Sequence, residues 1–521
     1  MIESLLSDFK KNNHEKRIDY ALLSFYILLF GAAFPPLNHG YFSWIAFIPY
    51  LFFLERNLGK TNFKKTFAAG FLSNLLIVYW IGLNSGANIP IAVLTLLGSL
   101  MVLALWFSFF GWIIERVWKR WGEVAIWAVP FIWVGIEFIR GHGSLGFPWT
   151  MVANTQTYYN SLIQISAITG AWGVSLFVMF VNILGYKAIK SIGEPKRAIG
   201  FAVAAVLVLA LPWTYGIMVL NGADEYLASI NKSIRVSIIQ PNLDPKVKWD
   251  KSKRDNIYRL YGDLHYKAGE SAPDLIIWPE TATPAYLRNN RDGRFDQVLS
   301  FVDSVNVPLL TGTLDYKFIG DKKFKKYNSS FLLRPGSREI EKYHKMHLVP
   351  FAEKVPFEDR FPFLSSIDLG QANFSSGEEY KVFNVDGKKF SVQICFESTF
   401  PSLSRNFVQR GAEMLVIITN DAWFGNSSQP YQHAQIAVMR AVESRRAIAR
   451  SANTGVSELV DPYGRIIKSL AFNERGIISG EIPLITEKTF YVKHGDYLGW
   501  ITAIIALLLF GLTWIKESKN E

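Results

Sequence analysis

Lys389-Phe390-Ser391-Val392-Gln393-Ile394-Cys395 is a strand-like run that ends on the only cysteine in 521 residues. One cysteine makes neither an intramolecular disulfide nor a thiolate-rich metal site, so Cys395 is either a buried small hydrophobe or a nucleophile. The company it keeps decides between them. The run lies in a segment, residues 221–496, where charges are frequent, Pro and Gly punctuate the chain and short β-rich runs alternate with helical patterns. This segment reads as one α/β domain.

The chain on either side is apolar. Half of all residues are hydrophobic, with 39 Phe and 16 Trp, a composition that points to a membrane protein. Seven apolar stretches precede the α/β segment, at about residues 19–34, 41–54, 66–83, 89–114, 124–139, 171–186 and 198–219, and an eighth, Tyr497 to Ile515, follows it. Most are long enough, alone or with a few flanking residues, to cross ~30 Å of hydrocarbon; the second is short. The expected architecture is a helical membrane bundle of about eight spans carrying an α/β sandwich: a seven-span domain over 1–220, the α/β domain over 221–496, and a closing span with a short tail over 497–521.

The net charge of +11 reads as a topology signal and not as a nucleic-acid surface. Basic residues fall in alternate connections: Lys10, Lys11, Lys16 and Arg17 before the first span, Arg56, Lys60, Lys64 and Lys65 after the second, Arg116, Lys119 and Arg120 after the fourth, and Lys187, Lys190, Lys196 and Arg197 after the sixth. With these segments cytoplasmic, residues 221–496 lie outside, and Lys516 and Lys519 return to the cytoplasm. The first span runs into Phe34-Pro35-Pro36 and not a small-residue cleavage site, so it reads as a retained anchor.

Within the α/β segment, strands are expected at Arg235 to Gln240, Leu275 to Trp278, Leu309 to Thr313, Ser329 to Leu333, Phe390 to Ile394, Met414 to Thr419, Gly455 to Val460 and Ile477 to Ile482. Helices are expected at Ser252 to Ala268, Asp292 to Val305 and Tyr431 to Arg450. No dinucleotide or phosphate-binding glycine fingerprint is present.

Three stretches carry groups suited to chemistry. Leu275-Ile276-Ile277-Trp278-Pro279-Glu280-Thr281 is an apolar strand that stops at a proline and presents a carboxylate. Tyr343-His344-Lys345-Met346-His347-Leu348-Val349-Pro350-Phe351-Ala352-Glu353 places a lysine and a second glutamate around a turn stiffened by proline. Cys395 ends the third. A free thiol is only a few per cent thiolate at neutral pH. A carboxylate that takes its proton and an ammonium that stabilises thiolate and oxyanion supply what the thiol lacks.

Trp278-Pro279-Glu280, Lys345 with His347-Leu348-Val349-Pro350-Phe351, Ile394-Cys395-Phe396-Glu397 and Thr419-Asn420-Asp421-Ala422-Trp423-Phe424, in that order, resemble the nitrilase superfamily of Glu-Lys-Cys carbon-nitrogen hydrolases. With seven spans before and one after, the chain is similar in particular to the membrane-embedded N-acyltransferases of that superfamily. The resemblance implies a nitrilase-like αββα sandwich on the periplasmic side of the bacterial cytoplasmic (inner) membrane. It implies transfer of a fatty acyl chain from a phospholipid, through a cysteine thioester, to the N-terminal amine of a diacylglyceryl lipoprotein. It also implies roles: Glu280 as general base, Lys345 as oxyanion stabiliser, Cys395 as acylated nucleophile, Glu353 in support of the lysine or the base, and Trp249, in Lys248-Trp249-Asp250, at the substrate site. Glu397 matches a position that the family also uses. Phe396 stands where tyrosine is frequent, which removes a hydroxyl, and Ala352 stands where glycine is usual, which restricts the loop backbone.

Other groups carry plainer expectations. His344 and His347 have metal-like spacing, but no cysteine or carboxylate cluster completes a site, and neither metal nor cofactor is expected. Asn420 and Asp421 are read as organising a loop, and Arg440, Arg445 and Arg446 as forming internal ion pairs. Gly141 to Trp149 is placed to form a lipid access path, and Glu137 and Arg140, near the outer end of the fifth span, need partners or an interfacial position. Two other functions compete with acyl transfer. One is a membrane-anchored amidase or nitrilase with water as acceptor, which the same triad serves. The other is a transporter with a binding domain, disfavoured by the sparse polar residues of the spans.

Overall fold

The computed structural model describes residues 2–60, 62–288, 292–320, 324–358, 360, 361, 363 and 372–515. Lys516 and Lys519, and the side chains of Lys10 and Lys11, lie outside the described residues. The N-terminal part is helical: Ile2–Ala32, Ser43–Arg56, Phe63–Val78, Ile89–Trp121, Val129–Arg140, Ser166–Lys190 and Pro195–Asn221. Tyr497–Leu512 returns to pack against Val129–Arg140. Four runs among the described residues, Phe63–Leu83, Ile89–Arg140, Ser166–Lys190 and Pro195–Ala228, are long and apolar enough to cross a membrane, and Tyr497–Leu512 is a shorter apolar helix. The Ile89–Arg140 run holds two helices joined by a 3-10 turn at Gly122–Ala128. Its neighbours present apolar side chains outward: Val206 and Leu207 on Pro195–Asn221 are each 63% exposed, a surface suited to lipid and not to water.

Among the described residues the α/β part contains thirteen strands: β1 Ser233–Gln240, β2 Leu275–Ile277, β3 Thr283–Tyr286, β4 Leu309–Phe318, β5 Phe324–Leu333, β6 Glu341–His344, β7 Val382–Val385, β8 Lys388–Ile394, β9 Met414–Thr419, β10 Ala447–Ala452, β11 Ser457–Val460, β12 Ile466–Leu470 and β13 Gly476–Pro483. They form two sheets. The first has the order β13-β1-β2-β4-β5-β6 with β3 beside β4, and the second the order β12-β11-β10-β9-β8-β7. The central strands of both are parallel pairs, β1 with β2, β2 with β4, β8 with β9 and β9 with β10. Parallel strands are covered on both faces, which explains why Leu275-Ile276-Ile277 and Met414-Leu415-Val416-Ile417-Ile418 are continuous apolar runs.

The pleat sends alternate residues to different layers. Leu275 and Ile277 share a core with Val392, Ile394, Leu415 and Ile417 of the other sheet. Ile276 and Trp278 face helices Arg254–Gly269 and Arg294–Val305 in a separate core. Helices Pro401–Gln409 and Gln429–Ser444 cover the far side of the second sheet. The layers therefore run helix, sheet, sheet, helix.

All eight expected strands are present, but those at Leu309 to Thr313 and Ser329 to Leu333 belong to a longer hairpin, β4 and β5, and β3, β6, β7 and β12 carry no expectation from sequence. One expected helix needs correction: Tyr431 to Arg450 is helical only to Ser444, where Arg445 adopts φ 50° and β10 begins at Ala447. Ala447, Ile448 and Ala449 are good enough helix formers, yet pairing beside β9 in a fully buried sheet outweighs that propensity.

Gln432, on Gln429–Ser444, ties the two parts together. Its Oε1 accepts from Trp80 Nε1 at 3.1 Å and Trp149 Nε1 at 2.7 Å, and its amide donates to Pro35 O and Ile77 O. Ser85 N also donates to Trp423 O at 2.8 Å.

Candidate active site

Glu280 follows β2, one residue beyond Pro279, in a turn that the neighbouring strand β4 approaches closely. Gly312 N donates to Pro279 O at 3.2 Å, and a Cβ on Gly312 would stand 2.5 Å from that oxygen and 2.6 Å from Glu280 Cα. Only glycine fits such an approach. From the other side, buried Lys248 donates to Glu280 O at 3.0 Å and Thr281 Oγ1 at 2.9 Å. Burial pushes this lysine down to about 7, against the pull of the Glu280 charge. The Glu280 side chain is 6% exposed, and its Oε1 accepts from Asn328 Nδ2 at 2.7 Å.

Lys345 leaves the end of β6 and is 1% exposed. Its ammonium lies between two carboxylates, 2.9 Å from Glu353 Oε2, 3.0 Å from Glu353 Oε1 and 3.9 Å from Glu280 Oε1. Glu353 also accepts from Asn328 Nδ2 at 3.1 Å and Val349 N at 2.8 Å, so Asn328 bridges the two glutamates. Burial opposes the charge of Lys345, but Glu353 and Glu280 override it and hold the amine above its ordinary range. Burial raises Glu280 above the usual carboxylate range, with Glu353 adding and Lys345 opposing.

Cys395 follows β8 at the start of a short 3-10 turn, Cys395–Thr399, with φ 55°. That left-handed conformation costs an L-residue roughly 1–2 kcal/mol and is typical of side chains held for function. Burial pushes the thiol above its ordinary range, Glu280 adds to the rise and Lys345 works against it. The thiol is thus protonated at rest, and its attack requires a base. Glu397, two residues on, binds the neighbouring segment to the nucleophile: its carboxylate accepts from Tyr343 Oη, Met346 N, His347 N and Ile394 N at 2.7, 2.7, 3.1 and 2.7 Å.

The structure therefore brings Glu280, Lys345 and Cys395 together with Glu353 and Glu397 behind them. Phe396 packs on Phe400 and Phe147 with ring centroids 5.1 and 6.1 Å apart. Trp249 is 42% exposed and is not among the described residues that line the cavity at Cys395. At the loop before Glu353, the left-handed residue is Phe351 at φ 65° and not Ala352, so the alanine sits where its Cβ is tolerated. His344 and His347 diverge: one stacks on Tyr327 and bonds Ser329 Oγ at 2.8 Å, the other lies against Phe400.

Three residues carry roles that their spacing in sequence does not announce: Lys248, Asn328 and His433. Ligating atoms of Cys395, Asp421 and His433 lie within 4.8 Å of one another. This group is a hydrogen-bond assembly and not a metal cradle, because Asp421 already accepts from Arg450 Nη2 at 2.7 Å, His433 Nδ1 at 2.9 Å, Gln429 Nε2 at 3.0 Å and Thr419 Oγ1 at 3.1 Å. Asn420 accepts from Asn453 Nδ2 at 2.9 Å, so both residues do brace their loop. Of the three arginines expected in ion pairs, Arg440 pairs with Glu443 at 2.7 Å, whereas Arg445 and Arg446 bond Gln164 and backbone carbonyls. These two guanidiniums close helix and strand ends in place of carboxylates.

The Cys395 side chain opens on a cavity of about 170 Å³. One wall is the α/β domain, with Pro350, Phe396, Phe424 and His433; the other comes from the helical part, with Gly98, Val102, Leu103 and Arg140. Leu145, Phe147 and Trp149 of the Gly141 to Trp149 connection border it. Glu137 accepts from Val152 N at 2.7 Å and Arg140 donates to Thr150 O at 3.2 Å, which gives each intramembrane charge a polar neighbour.

A buried Cys-Glu-Lys set at the ends of β2, β6 and β8 in a two-sheet sandwich defines a carbon-nitrogen hydrolase domain, and residues 235–489 match the carbon-nitrogen hydrolase family model. Residues 28–184 match the apolipoprotein N-acyltransferase N-terminal domain. The chain belongs to the apolipoprotein N-acyltransferase family. It is 31% identical over 516 residues to an apolipoprotein N-acyltransferase of Geobacter metallireducens, covering 97% of each chain. It is 32% identical to one of Chlorobaculum tepidum, over 92% of this chain and 94% of the relative. Among solved structures, an amidase of the nitrilase superfamily from Nesterenkonia AN1 aligns with 52% of this chain and 95% of its own at 19% identity and a TM-score of 0.37.

Proposed function

We propose that the protein transfers a fatty acyl chain from a membrane phospholipid to the N-terminal amine of a diacylglyceryl lipoprotein, with Cys395 as the acyl carrier. The observation that carries this reading is the cavity at Cys395, which has a catalytic wall and a wall of membrane helices. A soluble amide needs no such second wall; a lipid chain that slides in from the bilayer does.

In the first half-reaction Glu280 takes the thiol proton as sulfur attacks the ester carbonyl carbon, and the oxygen that becomes negative is met by Lys345. Collapse breaks the carbon–oxygen bond, and Glu280 returns its proton to the departing lysophospholipid hydroxyl. In the second, the lipoprotein amine attacks the thioester, Glu280 takes a proton from the nitrogen, and the carbon–sulfur bond breaks to restore the thiol. Glu353 holds Lys345 charged and in place; Glu397 joins the segments of Lys345 and Cys395. Phe396, which lines the cavity, is assigned to substrate contact, and Trp249, which does not line it, to substrate binding outside it. No cofactor or metal takes part.

The same proposal includes eight spans, seven within residues 1–220 and one within 497–521, and places residues 221–496 on the periplasmic side of the bacterial inner membrane. The alternation of basic connections supports this orientation. The deciding experiment is intact-protein mass after the detergent-purified enzyme meets phospholipid alone. A fatty-acyl increment on wild type and none on Cys395→Ala, released by a diacylglyceryl peptide, is the expected result. An increment that water discharges equally fast makes the protein a membrane-anchored hydrolase.

A further inference from the structure

His433 is fully buried in the second turn of Gln429–Ser444, close to the nucleophile, and the acyl-transfer chemistry above leaves it unused. Its two ring nitrogens face different partners. Nδ1 is 2.9 Å from Asp421 Oδ1, and the other carboxylate oxygen of Asp421 takes a 2.7 Å bond from Arg450, itself fully buried. Nε2 is 2.9 Å from Ser398 Oγ and 3.1 Å from the carbonyl oxygen of Cys395. Ser398 Oγ in turn lies 3.0 Å from that same carbonyl. The imidazole thus touches the turn that holds Cys395 at φ 55°.

The Asp421 carboxylate fixes the direction of one of these bonds. Despite its burial, Asp421 is held below the usual carboxylate range by Arg450 and His433, so it is ionised and only accepts. His433 therefore carries a proton on Nδ1. Burial and Arg450 lower the imidazole, while Asp421 and the Cys395 carbonyl 3.1 Å from Nε2 work against them. Ser398 Oγ donates to that carbonyl at 3.0 Å and lies 2.9 Å from Nε2. Hydroxyl, carbonyl and ring nitrogen thus meet at one point, which Asp421 and Arg450 anchor from the far side.

We propose that Arg450, Asp421, His433 and Ser398 form a positioning relay for the nucleophile, in which His433 pins the turn after Cys395 and so keeps the strained cysteine aimed at Glu280 and Lys345. The relay is built on the second sheet and its helix: Asp421 follows β9, Arg450 lies on β10, His433 lies on Gln429–Ser444 and Ser398 in the turn after β8. A turn with a left-handed cysteine relaxes unless its neighbours over-determine it, and Ser398, three residues on, ties that turn to the Gln429–Ser444 helix as Glu397 ties it to the Lys345 segment. Trp149 of the membrane part lies tilted against the imidazole, with ring centroids 5.3 Å apart, and helps cover the relay. This inference rests on Cys395 being the acyl carrier, and its test reads the thiol directly as well as the acyl product.

The test compares His433→Leu, His433→Gln and Ser398→Ala with wild type in full-length, detergent-purified enzyme. Glutamine keeps a hydrogen-bonding group near the Nε2 position; leucine keeps only bulk. Two rates are measured: alkylation of Cys395 by iodoacetamide, and single-turnover thioester formation across phospholipid concentrations. The relay requires His433→Leu to slow thioester formation roughly tenfold to a hundredfold with the half-saturating phospholipid concentration unchanged, since a misaimed group costs rate and not affinity. It also requires altered alkylation, substantial recovery in His433→Gln and an intermediate loss in Ser398→Ala. Equal rates for the leucine and glutamine variants, or a change in half-saturation alone, overturn it. If His433→Leu does not fold, Ser398→Ala, which removes one hydroxyl, decides: wild-type rates there overturn the relay. Absence of any thioester in wild type, with the alkylation pattern intact, would instead reject the acyl-carrier reading and leave the relay standing.

Discussion

Lys345 Nζ stands 3.9 Å from Glu280 Oε1 but 2.9 Å from Glu353 Oε2. The lysine is hydrogen-bonded to Glu353, proposed as its support, and only electrostatically coupled to Glu280, the proposed base. Glu280 thereby keeps lone pairs free for a proton, while the ammonium stays near enough to meet a developing oxyanion. Removing that ammonium with Lys345→Met is expected to lower the rate of thioester formation by roughly 10²–10³-fold, the usual loss for one oxyanion donor. Burst-phase mass spectrometry of the acyl-enzyme measures it; a near-normal burst in Lys345→Met would remove the lysine from the transition state.

The same arrangement sets the titration of the thiol. Burial raises Cys395, the Glu280 charge raises it further, and Lys345 lowers it. Glu280→Gln deletes a raising influence, so thiolate forms at lower pH and the alkaline rise in iodoacetamide alkylation shifts down. Lys345→Met deletes the lowering influence and shifts the profile up. Opposite signs in the two variants are the result to look for; shifts of the same sign would mean that the two side chains do not flank the sulfur as described.

Gly312 supplies a test of the scaffold. A methyl group there meets Pro279 O, Glu280 Cα and Thr281 N at 2.5, 2.6 and 2.6 Å, all backbone atoms with no side chain to give way. Gly312→Ala is expected to cost about 1–3 kcal/mol of stability as an overpacked site, and to cut turnover by about 10² because Glu280 moves with its turn. Thermal melting and single-turnover rate together measure this. Unchanged turnover in Gly312→Ala would show that the base tolerates displacement.

Much of this was legible in the sequence, and the failures have physical causes. The ends of β2 and β8 are visible because an apolar strand that stops at Pro279, or at the lone Cys395, is a local signal. The helical bundle is visible because apolar length is local too. Asn328, Lys248 and His433 are not, because each matters through a contact across 25 to 48 positions that no spacing announces. The end of the Gln429–Ser444 helix is hidden because Arg445 turns left-handed and Ala447 joins a sheet, a tertiary choice made against local propensity. The loop before Glu353 shows the converse: the position that looked constrained, Ala352, is ordinary, and the unusual backbone falls on Phe351.

The cavity makes the membrane helices part of the specificity. Gly98 lies on Ile89–Trp121 and lines the space in front of Cys395, and a Cβ added there meets nothing within 4 Å. Gly98→Leu therefore fits without disturbing the helix, and glycine to leucine in a helix interior also favours the helical state. Its side chain occupies part of a space of about 170 Å³. Donor chains that fill the cavity must leave carbons outside it, at roughly 0.8 kcal/mol for each methylene kept from an apolar site. Displacing two methylenes corresponds to a loss of about tenfold for long chains relative to short ones. Competing phospholipids of different acyl length, with the lipopeptide products separated by mass, measure the ratio. Gly98→Leu is expected to shift it toward shorter chains while thioester formation from a short-chain donor stays near wild type. A uniform fall for all lengths would mean that the wall shapes access to Cys395 and does not hold the chain.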